Sequence, residues 1–169
     1  RHVTLVGCED GRVRAVDVLG AVIATSSVAL AGGVSGRLAF WSILPLPQPT
    51  SEPSGYVAAA GANGEVVVLL YPKLTPATDW PVTLGAAGFA PDFLWLKLGG
   101  VGANASDECG SALPTLVVHH GDRVSAFCLA SAVPLPGWGT PIGDTLVSGM
   151  AAGDADGDGF PEVLVQTRH

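Results

Sequence analysis

The sequence predicts an all-β chain built from short strands and tight turns. Three observations predict it. Of 169 residues, 48% are hydrophobic and only 14% charged, with 23 Gly and 13 Pro punctuating Val- and Ala-rich runs, a composition of strands and turns rather than helices. No stretch carries a sustained apolar stripe at the helical period, so almost no helix is expected. A hairpin with an Asp/Asn/Gly turn recurs, aligning Val13 with Val66 and Val124 at offsets of 53 and 58 residues. Four short strands in a repeat of roughly 50 residues are the pattern of a β-propeller. A β-sandwich shares the short strands and tight turns, but a Trp-containing segment after the hairpin favours the propeller. The expectation is a β-propeller portion of about three to four four-stranded blades.

In chain order, His2–Cys8, Arg12–Val18 and Ala21–Ser26 read as strands, the first two joined by a two-residue turn at Asp10-Gly11. The same hairpin returns at Tyr56–Gly61, Asn63-Gly64 and Glu65–Tyr71, and again at Thr115–His120, Gly121-Asp122 and Arg123–Leu129. A Trp segment follows each of the last two hairpins, Asp79–Gly85 and Gly137–Gly143, with Trp80 and Trp138 58 residues apart. Inner strands are expected at Arg37–Leu44, Phe93–Leu98 and Leu146–Ala152. The blades then occupy residues 1–30, 37–86, 93–144 and, incompletely, 146–169. Stacked blades bury both faces of their strands, which accounts for apolar runs without alternation such as Val66–Leu70.

The stretch Gly153–Glu162, Gly-Asp-Ala-Asp-Gly-Asp-Gly-Phe-Pro-Glu, carries the clearest chemistry. Carboxylates on every second residue turn inward in a short loop and surround a hard cation, and Ca²⁺ takes six to eight oxygens. The candidate ligands are Asp154, Asp156, Asp158 and Glu162, with the Phe160 carbonyl completing the set. An EF-hand loop would close with Glu at its twelfth position, which here is Val165. Instead the loop runs into the β-branched stretch Val163-Leu164-Val165, a strand.

Such a strand–loop–strand site resembles the FG-GAP/VCBS repeat of integrin α-like propellers. The likeness covers about 20 residues around the loop, and the blade pattern extends it over the chain. The Phe-Gly and Gly-Ala-Pro pair of that repeat does not occur, and Glu162 stands where Asp is usual. Asp10–Asp17, Asp-Gly-Arg-Val-Arg-Ala-Val-Asp, is similar to quinoprotein-type blades, without their tryptophan-docking motif or active-site residues. The resemblance implies a Ca²⁺-binding, non-catalytic module for adhesion, ligand binding or assembly, extracellular, at the cell surface or in the secretory lumen. The alternatives are a propeller enzyme, quinoprotein- or hydrolase-like, whose active site lies in blades outside this chain, and an intracellular WD-like scaffold.

Other residues carry weaker signals. Asn104-Ala105-Ser106 fits the N-glycosylation acceptor pattern in an expected surface loop. A disulfide between Cys109 and Cys128 would pin that loop to its strand in an oxidising compartment, with three buried thiols as the alternative; Cys8 is left over. Pro45–Ser54 reads as a stiff exposed loop, with partner binding through polyproline II as its other reading. His119 and His120 are adjacent in a strand and point to opposite faces, and Ser26, Asp79, Ser125 and Asp144 suggest no hydrolase triad. A net charge of −7 without a Lys/Arg cluster argues against nucleic acid. No apolar run reaches roughly 18 residues, so no direct membrane insertion is expected. The first blade lacks an inner strand and the last two outer ones, so the expected partners are other blades of the same polypeptide or neighbouring chains.

Overall fold

The computed structural model describes residues 2–43, 54–84, 91–96, 114–144, 149–159 and 161–168. Among them are thirteen strands and no helix, and the protein is all-β with several antiparallel sheets. It divides into two compact units, Arg1–Ala90 and Pro91–His169.

The first unit holds two sheets. One runs β1 (Val3–Gly7), β2 (Val13–Asp17), β3 (Val22–Thr25), each strand antiparallel to the next in chain order. The other runs β4 (Val34–Ser42), β5 (Gly55–Gly61), β6 (Glu65–Tyr71), β7 (Thr75–Pro76), and β8 (Val82–Thr83) also pairs with β6. Val13 and Ala15 of β2 are buried, whereas Val6 and Val22, on the opposite face of that sheet, are exposed. In β5 and β6 burial does not alternate: Val57–Ala60 and Val66–Leu69 are consecutive and shielded, so both faces of these strands are covered.

The turns repeat at atomic detail. Gly11 N–H donates to the Cys8 carbonyl and Gly64 N–H to the Gly61 carbonyl, each at 3.0 Å. Asp10 Oδ1 accepts from Arg12 N–H and Asn63 Oδ1 from Glu65 N–H, each at 3.1 Å. Gly11 and Gly64 stand at φ 78° and 85°, where a side chain is strained. These loops contain three residues, Glu9-Asp10-Gly11 and Ala62-Asn63-Gly64, rather than the two expected. The glycine supplies the left-handed residue that follows a type I turn and forms a bulge. Gly121-Asp122 is the two-residue case, because His120 and Arg123 pair directly.

Two strand boundaries differ from expectation. β4 starts at Val34, before Arg37, because the ladder continues through an irregularity between Ser35 and Ala39 where Gly36 adopts φ 76°. The outer strand around Trp80 is split into β7 and β8. Pro76 and Pro81 lack the N–H that a continuous ladder needs. Trp80 itself is buried.

The second unit holds β9 (Asp92–Leu96), β10 (Thr115–His120) and β11 (Arg123–Cys128) in the order β11-β10-β9, and a hairpin of β12 (Ala151–Gly153) with β13 (Glu162–Leu164). Instead of an outer strand at Gly137–Gly143, the chain runs beside β11 through isolated bridges at Pro134 and Pro141. Gly139 N–H reaches the Val124 carbonyl at 2.8 Å, and Ile142 N–H the Asp122 carbonyl at 2.8 Å. Pro134, Pro136 and Pro141 again deny the ladder its donors. Leu96, Val117, Val124, Ala126, Cys128 and Leu135 form the core, and Trp138, Met150, Val163 and Val165 pack on it. The β12–β13 hairpin is therefore seated on the side chains of the β9–β11 sheet.

His120 is buried on the opposite face of β10 from this core. It is 8% exposed, and its Nε2 lies 2.8 Å from Ser125 Oγ. Burial pushes the imidazole below its ordinary value, and the Arg123 charge adds to this. The folded state thus favours neutral His120, while the unfolded chain takes up a proton near pH 6.5. Stability from this group is complete above about pH 6.5 and declines as pH falls from there toward the lowered folded value. Melting temperatures between about pH 7.5 and pH 5.5 should fall more steeply for the wild type than for His120→Gln. Equal slopes would contradict the assignment.

Candidate metal site

The acidic loop joins the two strands of the terminal hairpin. Gly153 pairs with Glu162 at the mouth of the loop, so the ladder holds the two ends of the Asp-rich segment together. The hairpin is tied down in turn by Asp92 at the start of β9. Its Oδ2 accepts the Met150 N–H at 3.3 Å and its Oδ1 accepts the Phe93 N–H at 3.0 Å. Asp92 and Met150 are 58 residues apart in the chain. That contact is a positioning role the sequence reading did not identify.

Within the loop the carboxylates organise the backbone. Asp154 Oδ1 accepts from Gly157 N–H at 2.6 Å and Oδ2 from Gly159 N–H at 3.0 Å. Asp156 Oδ1 accepts from Asp158 N–H at 3.1 Å, and Glu162 Oε2 reaches across to Ala155 N–H at 2.6 Å. Gly157 and Gly159 at φ 82° and 88° let the chain curl around these acceptors. One oxygen each from Asp154, Asp156 and Glu162 lies within 4.8 Å of the others. Two oxygens on one Ca²⁺, each about 2.3–2.6 Å from it, stand at most about 5 Å apart. The three carboxylates are thus close enough together to hold a metal ion, and an all-oxygen donor set suits a hard cation rather than zinc.

The expected ligands divide accordingly. Asp154, Asp156 and Glu162 come together; Asp158 sits in the loop but outside that group. Phe160, Asn104 and Cys109 lie outside the described residues, as does most of the proline-rich stretch. Cys128 is buried and disulfide-bonded, and Cys8 is free. Asp154 and Asp156 are exposed and Glu162 is half-buried, so the site opens to solvent at the hairpin tip.

The His120–Ser125 pair is the other constellation not foreseen. Ser125 stands opposite Val118 in the β10–β11 ladder, which makes it the diagonal neighbour of His120. Both residues are buried, at 8% and 7% exposure. Among the described residues no helix is long and apolar enough to cross a membrane. Comparison with protein-family models and with characterised proteins gives no match to this chain.

Proposed function

We propose that this chain is a portion of a calcium-stapled β-propeller of the FG-GAP/VCBS kind, acting outside the cytosol as a non-catalytic binding or structural module. The observation that carries this reading is the convergence of Asp154, Asp156 and Glu162 within 4.8 Å at the junction of β12 and β13. Three carboxylates held that close repel one another, and a divalent cation turns the repulsion into attraction. The ion would be held by these side chains, with Asp158 and the Phe160 carbonyl as further donors, and would fix the β12–β13 connection. Its role is structural: the oxygens come from a hairpin tip rather than from the base of a substrate-sized cleft.

The propeller reading is supported by the order of the sheets. β4-β5-β6-β7 is an up-and-down meander, β9-β10-β11 repeats its first three positions, and β12-β13 its first two. In each, the first strand in chain order pairs antiparallel with the second. A disulfide at Cys128 fits an oxidising compartment, and this favours the extracellular reading over the WD-like one.

Titration calorimetry with Ca²⁺ tests the metal assignment. One ion per chain is expected for the wild type, with binding abolished in Asp154→Asn/Asp156→Asn. Binding that survives the double substitution would remove the loop as the site.

A further inference from the structure

We propose that Asp92 is a latch that couples ion binding in the acidic loop to docking of the β12–β13 hairpin on the β9–β11 sheet, each event strengthening the other. Asp92 then regulates the calcium site proposed above, on which this coupling rests.

The hairpin has little to hold it together by itself. β12 and β13 meet in three residue pairs, Ala151↔Leu164, Ala152↔Val163 and Gly153↔Glu162, and among the described residues neither pairs with a strand of the β9–β11 sheet. Ala151, Ala152 and Leu164 are exposed. An isolated two-stranded hairpin is marginal in water, so this ladder depends on what it rests against. Met150, Val163 and Val165 lie on the apolar core of the sheet, and Asp92 Oδ2 accepts the Met150 N–H at 3.3 Å.

The Asp92 contact has a defined geometry on both sides. Asp92 is placed at the start of β9 by its pairing with His119, and its Oδ1 accepts the Phe93 N–H at 3.0 Å. Facing it is Gly149, where a Cβ would stand 2.8 Å from Asp92 Oδ2, closer than such atoms approach. The missing side chain of Gly149 leaves the carboxylate the space from which it reaches Met150.

The consequence for the ion follows from the register. Glu162 joins Asp154 and Asp156 because it pairs with Gly153, so the three carboxylates converge when the hairpin is formed. The apparent dissociation constant is then the intrinsic value divided by the fraction of chains in that state. Weakening the latch lowers the fraction, and by linkage a bound ion raises it. The charge of Asp92 has little direct part in this. Asp154 follows Met150 by four residues of extended chain, roughly 13 Å at about 3.3 Å per residue, beyond the screening length of about 8 Å at physiological salt.

Calcium titration calorimetry on the whole 169-residue chain tests the coupling with Asp92→Ala and Gly149→Ala. Neither residue is among the converging carboxylates, so both variants should still bind one ion, with the dissociation constant raised at least about tenfold by loss of a charge-assisted hydrogen bond. Gly149→Ala keeps the Asp92 charge and displaces only its position, which separates the latch from electrostatics. The reciprocal readout is amide exchange in the wild type: Met150 should slow when Ca²⁺ replaces EDTA. Exchange along the β10–β11 ladder should be the same in all three proteins, whereas a general loss of stability would speed it. No binding by the wild type would remove the calcium reading and the latch together. Equal affinity in the wild type and Gly149→Ala, or a Met150 amide indifferent to Ca²⁺ while the wild type binds it, would leave the calcium reading standing and overturn the latch, even if Asp92→Ala fails to fold.

Discussion

Leu69→Ala is expected to cost about 3 kcal/mol of stability, within the range of roughly 2–5 kcal/mol for truncating a fully buried leucine. Leu69 has no exposed surface, pairs with Val57 on one side and Pro76 on the other, and lies in a strand buried on both faces. The substitution leaves a cavity that neighbouring strands cannot close, because their own registers are fixed by the ladder. For a chain of this length, about 3 kcal/mol corresponds to a fall in Tm of roughly 6–12 °C. Leu164→Ala makes the contrast. Leu164 is 52% exposed in β13, and its truncation should change stability by less than about 0.5 kcal/mol. Thermal or urea unfolding of the two variants measures the difference, and equal losses would contradict the described core.

The second large effect follows from the metal. An ion that binds the folded hairpin and not the unfolded chain stabilises by about 2.7 kcal/mol when free Ca²⁺ reaches a hundred times its dissociation constant. Wild-type Tm should therefore rise with Ca²⁺ and fall back with EDTA. Asp156→Ala should show neither response, because its carboxylate is one of the three that converge. Without metal the same variant should be no less stable than the wild type: it relieves repulsion at an exposed site and gives up one loop hydrogen bond, Asp158 N–H to Asp156 Oδ1. That crossing of wild type and variant with Ca²⁺ separates a metal site from a solvated turn.

Much of this arrangement could be read from local chemistry. Asx-Gly turns fixed where β1 meets β2 and β5 meets β6, since only glycine relieves a positive φ there. The unbroken run Val66–Leu70 announced a strand buried on both faces; Val66–Leu69 are fully buried and Leu70 is half-buried. The clustering of Asp154 with Asp156 follows from their spacing in a tight loop, and Glu162 joins them because it opens the next strand opposite Gly153. Long-range placement was less legible. Nothing local to Asp92 tells that its carboxylate holds the backbone of Met150, and the diagonal meeting of His120 with Ser125 depends on a two-residue turn whose register had to be seen. Prolines misled at the outer positions. Pro76, Pro81, Pro134 and Pro141 lie in segments that run along a neighbour strand yet cannot donate to it, so apolar content there overstated the strand.

The central claim is that calcium staples β12 to β13 through the Asp-rich loop, and residue-level hydrogen exchange tests it most directly. Ala155, Gly157, Asp158 and Gly159 donate their amides to the carboxylates that would hold the ion. With Ca²⁺ present, exchange at these four amides and along the Ala151–Gly153 and Glu162–Leu164 ladder should slow by at least about tenfold relative to EDTA, as expected for more than 1.4 kcal/mol of local stabilisation. In the β1–β3 sheet it should slow far less. Identical exchange at the loop amides with and without Ca²⁺ would contradict the account.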